Sequence, residues 1–226
     1  QKLEHENIVQ YLGHEVISSH LYIYMEYVAG GITFFIAYSL ILYSRKYYIN
    51  IQSVWPLHEK TIKVYAKQIL SGLCYLHENG VIHKDIKGAN ILIHKDGTVK
   101  LSDFGCSSEI ERTLYSLQNP IQNALKGSVP WMAPEVVKET GFGRRSDIWS
   151  FGCTILEMAT GKCPWSQYNF ENQITLMMKI ALSDETPAIP DSLSDELKDF
   201  IGLCLKRNRD DRPYACDLLK HKFLTG

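Results

Sequence analysis

The 226-residue sequence has almost no net charge, because 24 Lys and Arg residues nearly cancel 25 Asp and Glu residues. A chain without a basic excess is not a general binder of nucleic acids or other polyanions, although a local basic pocket could still exist. Repeats and low-complexity tails are also missing. The 45% hydrophobic and 22% charged residues are typical of an ordinary folded domain.

Closely spaced cysteines are absent too, since no two of the six lie closer than ten residues. This spacing excludes C-x-x-C zinc and redox motifs. We interpret the cysteines as buried free thiols in a reducing compartment, which predicts a cytoplasmic protein without a disulfide framework. They are Cys74, Cys106, Cys153, Cys163, Cys204 and Cys216.

The start of the chain lacks both an apolar core and a Met. Gln1–Glu6 is charged, so it is not a signal peptide. The missing Met predicts that the chain was cut from a longer one.

One stretch, Ile32–Trp55, is unusually apolar: 16 of its 24 residues are hydrophobic, and Arg45 and Lys46 are its only charged residues. Its uncharged part, Ile32–Tyr43, would form a helix of about 18 Å, whereas the hydrocarbon core of a bilayer is about 30 Å thick. A membrane span is therefore not expected. Two interpretations stay open: a buried helix inserted into the domain, or translated non-coding sequence.

Residue patterns predict a small β-sheet followed by a mostly helical body, which is an α+β fold. β-branched and aromatic runs indicate the strands, and an Asp-Gly turn indicates a second hairpin. Apolar residues at three- and four-residue spacing indicate the helices. The predicted strands are 8–12, 21–27, 91–93 and 99–101, and the predicted helices are 57–78, 149–159 and 195–205.

The densest chemical cluster is the segment His83–Asn90, with the sequence HKDIKGAN. Asp85 could accept or orient a hydroxyl proton, and Lys87 could neutralise charge on a transferring phosphoryl group. Asn90 could offer an oxygen to Mg²⁺, as could Asp103 of an Asp-Phe-Gly tripeptide that begins 13 residues later. This combination predicts phosphoryl transfer.

HKDIKGAN, DFG and the APE at 133–135, in that order, resemble the catalytic loop, metal loop and activation-segment end of eukaryotic protein kinases. The resemblance covers essentially the whole chain. HENIVQYLG, GRRSDIWSFGCTILEMATGKCPW and LLKHKFLTG are similar to mitogen-activated protein kinase kinase kinases. The resemblance implies a protein-kinase fold: a remnant of the β-rich small lobe and hinge in 1–30, and a helical large lobe in 31–226 with 32–55 as an atypical insertion.

The resemblance also implies roles for individual residues. Asp85 would be the catalytic base and Lys87 would steady the γ-phosphate of ATP, while Asn90 and Asp103 would hold Mg²⁺. Lys87 and Ser128 favour serine/threonine specificity.

The adenine pocket is implied in the same way. The hinge around Glu26 and Val28 would pair with adenine through backbone groups, Met25 would gate the back pocket, and Leu92 would form the floor.

Structural supports follow from the resemblance as well. Asp147 would accept backbone N–H groups of the catalytic loop, and Arg212 would pair with Glu135. We interpret His83 as a core histidine that braces the loop, and we assign no role to His77 because its sequence surroundings are polar.

Besides the insertion at 32–55, two features depart from the family pattern. Lys84 replaces the usual Arg before Asp85, and a lysine cannot grip a phosphate bidentately, so control by phosphorylation of the activation segment should be weaker. Neither a G-x-G-x-x-G loop nor a Val-Ala-Ile-Lys-like strand occurs in the 226 residues. These elements would precede residue 1.

The sequence therefore predicts a serine/threonine protein kinase that uses ATP and Mg²⁺ on a protein substrate, a mitogen-activated protein kinase kinase. The alternatives are a non-catalytic kinase-like binding module and an inactive fragment. Intact Asp85, Lys87, Asn90 and Asp103 argue against the binding module. We expect the 226 residues alone to have little or no phosphotransferase activity, because contacts to the three phosphates are missing.

Overall fold

A computed structural model describes residues 3–17, 20–28, 56–103, 108–109, 129–170 and 172–226. The stretch 32–55 lies outside the described residues, and the division into two lobes stays a prediction.

Within the described ranges the chain is α+β, as predicted. The strands are β1 (Tyr11–Ile17), β2 (His20–Met25), β3 (Val81–Ile82), β4 (Ile91–Ile93), β5 (Val99–Leu101) and β6 (Ser108–Glu109). The helices are α1 (Glu59–Glu78), α2 (Pro134–Val137), α3 (Arg144–Thr160), α4 (Gln173–Leu182), α5 (Asp195–Cys204), α6 (Ala215–Leu218) and α7 (Lys222–Thr225).

The strands form three antiparallel pairs: β1 with β2, β3 with β6, and β4 with β5. The hairpins β1–β2 and β4–β5 confirm the two predicted pairings, but β1 begins three residues later than predicted. Ile8 is instead buried and forms an isolated parallel bridge with Leu101 of β5. The start of the chain therefore packs on the β4–β5 hairpin instead of extending β1.

Helix α1 confirms the predicted amphipathic helix. The side chain of His58 caps it by accepting a hydrogen bond from Lys60 N, and the chain leaves it at Gly80, whose φ of 73° lies in the left-handed region that favours glycine. Its apolar face is fully buried against α3 and the β4–β5 hairpin. No helix in the described part of the chain is both long and apolar enough to cross a bilayer.

Helix α3 is the centre of the core, and nearly all of its residues are buried. It begins five residues before the predicted start and ends at Gly161, which adopts a left-handed φ of 66°. A Cβ at Gly152 would lie 2.6 Å from the Cβ of Cys204, so α3 and α5 approach closely only because residue 152 has no side chain. Ser194 caps α5, as predicted, by accepting from Leu197 N.

The prediction that all cysteines are free is wrong for Cys74 and Cys216. They form a disulfide between α1 and α6, with Cα atoms 5.2 Å apart and 142 residues between them in sequence. Because tertiary packing of α6 on α1 creates this contact, the spacing of the cysteines in the sequence does not predict it. Cys153 and Cys204 are buried free thiols, as predicted, whereas the free thiol Cys163 is exposed.

Candidate active site

Three of the predicted site residues meet in the Asp85 loop (residues 83–90), which connects β3 to β4. Lys87 Nζ lies 2.7 Å from Asp85 Oδ2. Asn90 Nδ2 donates to the same carboxylate oxygen at 2.9 Å and to the backbone oxygen of Asp85 at 2.8 Å. The Asp85 side chain keeps 13% of its surface exposed, so it is held on two sides while remaining open to a reactant.

Asp147 of α3 fixes the backbone of this loop, in agreement with the prediction. Its two carboxylate oxygens accept from His83 N and Lys84 N, each at 2.9 Å. Lys84 has a φ of 71°, a left-handed conformation that costs roughly 1–2 kcal/mol for a residue with a side chain. Hydrogen bonds to a buried carboxylate are strong enough to hold that conformation.

His77 was predicted to have no role, and the structure corrects this. The residue is only 5% exposed, and its Nε2 lies 2.9 Å from Asp147 Oδ2. The last turn of α1 packs against α3, which buries the ring. A signal was present in the sequence: His77 follows Ile69 and Leu73 at four-residue spacing, so it continues the apolar face of α1.

His83 braces the loop from inside, as predicted. Its Nε2 lies 3.0 Å from the carbonyl oxygen of Ser102, and its Nδ1 lies 3.3 Å from the backbone nitrogen of Asp85. The neutral tautomer with its proton on Nε2 satisfies both bonds. Burial lowers the pKa of His83 and outweighs the opposing attraction of the Asp147 carboxylate. His83 is therefore a neutral support.

The two predicted metal ligands lie on adjacent pieces of backbone. Ser102 donates to the carbonyl oxygen of Asn90 through its N–H at 2.9 Å and through its hydroxyl at 3.0 Å. Asp103 follows directly with an exposed side chain and a φ of 61°. Since the Asn90 amide nitrogen is occupied by Asp85, its oxygen is the atom suited to bind a metal. Carboxamide and carboxylate oxygens are hard donors that fit Mg²⁺.

Of the predicted adenine-pocket residues, Leu92 lies in the β4–β5 hairpin and Glu26 contacts that hairpin. Glu26, directly after β2, forms an ion pair with Lys100 at 2.7 Å. Lys100 lies opposite Leu92 in the antiparallel register, so both side chains occupy one face of the hairpin. Met25 ends β2 with an exposed side chain, whereas Val28 is buried. The roles of these residues toward adenine stay predictions.

Glu157 is a contact residue that the sequence interpretation missed. It is buried in α3, and its Oε2 accepts from Gly88 N at 3.2 Å and from Trp131 Nε1 at 3.1 Å. Burial raises the pKa of Glu157 to about 7. A Cβ at Gly88 would lie 2.9 Å from that oxygen, so the contact requires glycine there. The signal was a lone acid within a run otherwise interpreted as apolar.

The predicted pair of Arg212 and Glu135 is present and buried. Two parallel hydrogen bonds of 2.7 Å join the guanidinium to the carboxylate, and Ser146 Oγ donates to Glu135 Oε1 at 2.8 Å. Arg212 also stacks over Trp149, 5.1 Å from the ring centroid. This pair fastens α2, just before the start of α3, to the segment that precedes α6.

Lys84, the departure beside Asp85, has its ammonium group 5.6 Å from the ring centroid of Phe142. A cation over an aromatic face is a favourable contact that needs no phosphate. Ser128 lies outside the described residues.

Comparison with known proteins identifies the family of the chain. A model of the protein kinase domain matches residues 1–224. Mitogen-activated protein kinase kinase kinase A of Dictyostelium discoideum is 45% identical over 226 residues, which cover 100% of this chain and 22% of that protein. The kinase kinase kinase YODA of Arabidopsis thaliana is 46% identical over 226 residues, or 100% of this chain and 23% of that protein. Human mitogen-activated protein kinase kinase kinase 19 is 41% identical over 223 residues, or 98% of this chain and 16% of that protein.

The chain thus spans between 16% and 23% of the length of these three relatives. The match to the family model, in contrast, runs through nearly every residue of the chain. The chain therefore belongs to the protein kinase family, and within it the chain is similar to the mitogen-activated protein kinase kinase kinases.

Proposed function

We propose that the protein is a serine/threonine kinase that transfers the γ-phosphate of ATP to a protein substrate. The observation that carries the proposal is the cluster of Asp85, Lys87 and Asn90, held by Asp147 from α3. A carboxylate with an ammonium group and a carboxamide both within hydrogen-bonding distance of it supplies the groups that phosphoryl transfer requires.

Each residue has a task that its position supports. Asp85, partly open to solvent, accepts the proton of the substrate hydroxyl or orients that hydroxyl for attack. Lys87 stabilises negative charge on the transferring group, and its ion pair with Asp85 supports a role close to the attacking oxygen. Asn90 and Asp103 would hold Mg²⁺, which supplies positive charge to the phosphates of ATP. Glu26, Val28, Met25 and Leu92 would surround adenine.

The proposed substrate is a mitogen-activated protein kinase kinase, and the proposed location is the cytoplasm. Support for the substrate comes from the names of the relatives, each a mitogen-activated protein kinase kinase kinase. The near-zero net charge supports a protein partner over a nucleic acid.

The test uses the full-length gene product that contains this chain. It is incubated with radiolabelled ATP, Mg²⁺ and a catalytically inactive mitogen-activated protein kinase kinase, and the labelled amino acid is identified after hydrolysis. We expect phosphoserine or phosphothreonine, loss of labelling on chelation of Mg²⁺, and at least about a 100-fold lower rate for Asp103→Asn. Asp191→Asn is the matched control, because Asp191 is exposed and distant in sequence from the Asp85 loop.

Two results would contradict the proposal. Equal labelling by wild type and Asp103→Asn would mean that the activity belongs to a contaminant or another site. Binding of the substrate without any labelling would favour a kinase-like binding module.

A further inference from the structure

We propose that Cys74 and Cys216 are a site of reversible oxidation, at which a disulfide locks α6 onto α1. The inference does not depend on the proposed activity. It starts from the disulfide that joins the two residues, whose Cα atoms lie 5.2 Å apart. That separation is within the range of about 4.4–6.8 Å that a disulfide needs, so the backbone need not move when the bond forms or breaks.

Apolar contacts, and not only the disulfide, hold α6 against α1. On α6, Ala215 and Leu218 are buried, and α6 packs against α1, whose Leu73 is also fully buried. Cys74 follows Leu73 directly, and Cys216 follows Ala215. Because the neighbouring apolar contacts hold the two helices, the fold should survive reduction, and the dithiol should stay preorganised for oxidation.

Access distinguishes this pair from the free cysteines of the core. Cys74 and Cys216 are each only partly buried, and Glu78 beside them is exposed, so an oxidant can reach the sulfurs from solvent. Cys153 and Cys204 are completely buried, and burial raises the pKa of both thiols. A buried thiol with a raised pKa does not form the reactive thiolate.

Glu78 is placed to slow the reaction. Its Oε1 lies 3.7 Å from Cys74 Sγ and 3.6 Å from Cys216 Sγ. In the dithiol each S–H can donate to this carboxylate, and its negative charge disfavours a thiolate on either sulfur. The dithiol should therefore be oxidised by a sustained supply of oxidant, and not by the low background level of peroxide in a reducing compartment.

The chemistry balances with a hydroperoxide as oxidant. One thiolate attacks the peroxide oxygen and becomes a sulfenic acid, with water as the product in the case of hydrogen peroxide. The second thiol attacks that sulfur, the S–S bond forms, and another water leaves. Two thiols are oxidised by two electrons and one peroxide is reduced. A dithiol reductant restores both thiols by exchange.

The bond should raise thermal stability. It closes 142 residues of chain, which restricts the unfolded state, and such cross-links typically raise the melting temperature of a domain of this size by roughly 5–15 °C. Cys74 also lies three residues before His77, whose ring contacts Asp147. The disulfide therefore holds the turn of α1 that contacts the support of the Asp85 loop.

The test compares the reduced and the peroxide-treated chain by peptide mass mapping without reductant and by thermal unfolding. A chelator is present, because donor atoms of Cys74, Glu78 and Cys216 lie within 4.8 Å of one another and could capture a trace metal. We expect a Cys74–Cys216 peptide, a rise of the melting temperature in the range above, and reversal of both by dithiothreitol. Cys74→Ser should abolish the rise, and Cys163→Ser, which removes an exposed free thiol, should keep it.

Oxidation rates supply a second measurement. Glu78→Gln should form the disulfide roughly 2–10-fold faster than wild type, because removing a charge about 4 Å away increases the thiolate fraction. The inference is overturned if peroxide links other cysteines, if the Cys74–Cys216 bond resists dithiothreitol in the folded protein, or if Cys74→Ser still gains stability on oxidation.

Discussion

Lys87 and Asp85 form an ion pair of 2.7 Å two residues apart, on the loop that α3 anchors through Asp147. The pair turns the Lys87 ammonium group back onto the carboxylate that would receive the substrate proton. The groups proposed for charge stabilisation and for proton acceptance therefore lie at one point of the loop.

Lys87→Met should lower kcat of the full-length protein by about 100–1,000-fold, because a preorganised charge near the transferring group is worth about 3–4 kcal/mol in the transition state. Lys84→Met is the matched control, since Lys84 contacts the Phe142 ring and should change kcat less than about 10-fold. Steady-state phosphorylation rates at saturating ATP measure both. Equal losses for the two lysines would contradict a specific role for Lys87.

Glu157 should make folding stability depend on pH. Its pKa in the folded chain, about 7, lies above the unfolded value near 4.5, so folding favours the protonated acid. The stabilising contribution is full below about pH 4.5 and is lost as pH rises through 7, by up to about 3 kcal/mol.

Chemical denaturation of wild type and Glu157→Gln at several pH values between 5 and 8 tests this expectation. The carboxamide of the variant can still accept from Gly88 and Trp131 but cannot titrate, so wild type should lose stability relative to the variant as pH rises. Glu139→Gln, at an exposed position, serves as the control. A difference between wild type and Glu157→Gln that stays constant with pH would show that Glu157 has an ordinary pKa.

The Arg212–Glu135 pair should be costly to break from one side. Arg212→Met leaves a buried carboxylate without its guanidinium and should lower the free energy of unfolding by about 3–5 kcal/mol. Adding Glu135→Gln should recover part of that loss, because the unpaired charge is removed. Urea denaturation of wild type, the two single variants and the double variant measures the coupling free energy between the two side chains.

The exposed ion pair of Arg145 and Asp210 supplies the comparison. Asp210→Asn should cost less than about 1 kcal/mol, since surface pairs contribute little. Additive losses in the Arg212 and Glu135 cycle would mean that the two side chains do not act as a pair.

Two glycines inside helices should respond to alanine in opposite directions. Gly152→Ala places a Cβ 2.6 Å from Cys204 Cβ and should destabilise the chain by about 1–3 kcal/mol. Gly202 has nothing within 4 Å of the added atom, so Gly202→Ala should stabilise by about 0.5–1 kcal/mol through helix propensity. Unfolding midpoints that shift in the same direction would refute the close approach of α3 and α5.

Local patterns predicted much of this structure. The 3–4 spacing of apolar residues located α1, the Asp-Gly turn located the β4–β5 hairpin, and Ser194 located the start of α5. These features depend on residues close in sequence. Asp85, Lys87 and Asn90 are also close in sequence, so the sequence alone predicts that they form one cluster.

Contacts between distant segments were harder to predict. The bond between Cys74 and Cys216, and the burial of His77 against Asp147, depend on how helices pack. The resemblance to protein kinases predicted the Arg212–Glu135 pair. Neither the spacing nor the composition of the sequence indicates it. Glu157 was missed because an acid inside an apolar helix is usually assigned to a solvated edge, whereas this one accepts from Gly88 and Trp131.

The central claim is that Asp85 acts in phosphoryl transfer and not in binding ATP. Its most direct test is Asp85→Asn in the full-length protein, with ATP affinity measured by fluorescence titration and single-turnover transfer measured by rapid quench. We predict an ATP dissociation constant within about threefold of wild type and a transfer rate lower by at least about 100-fold. Transfer at the wild-type rate by the Asp85→Asn protein would contradict the account.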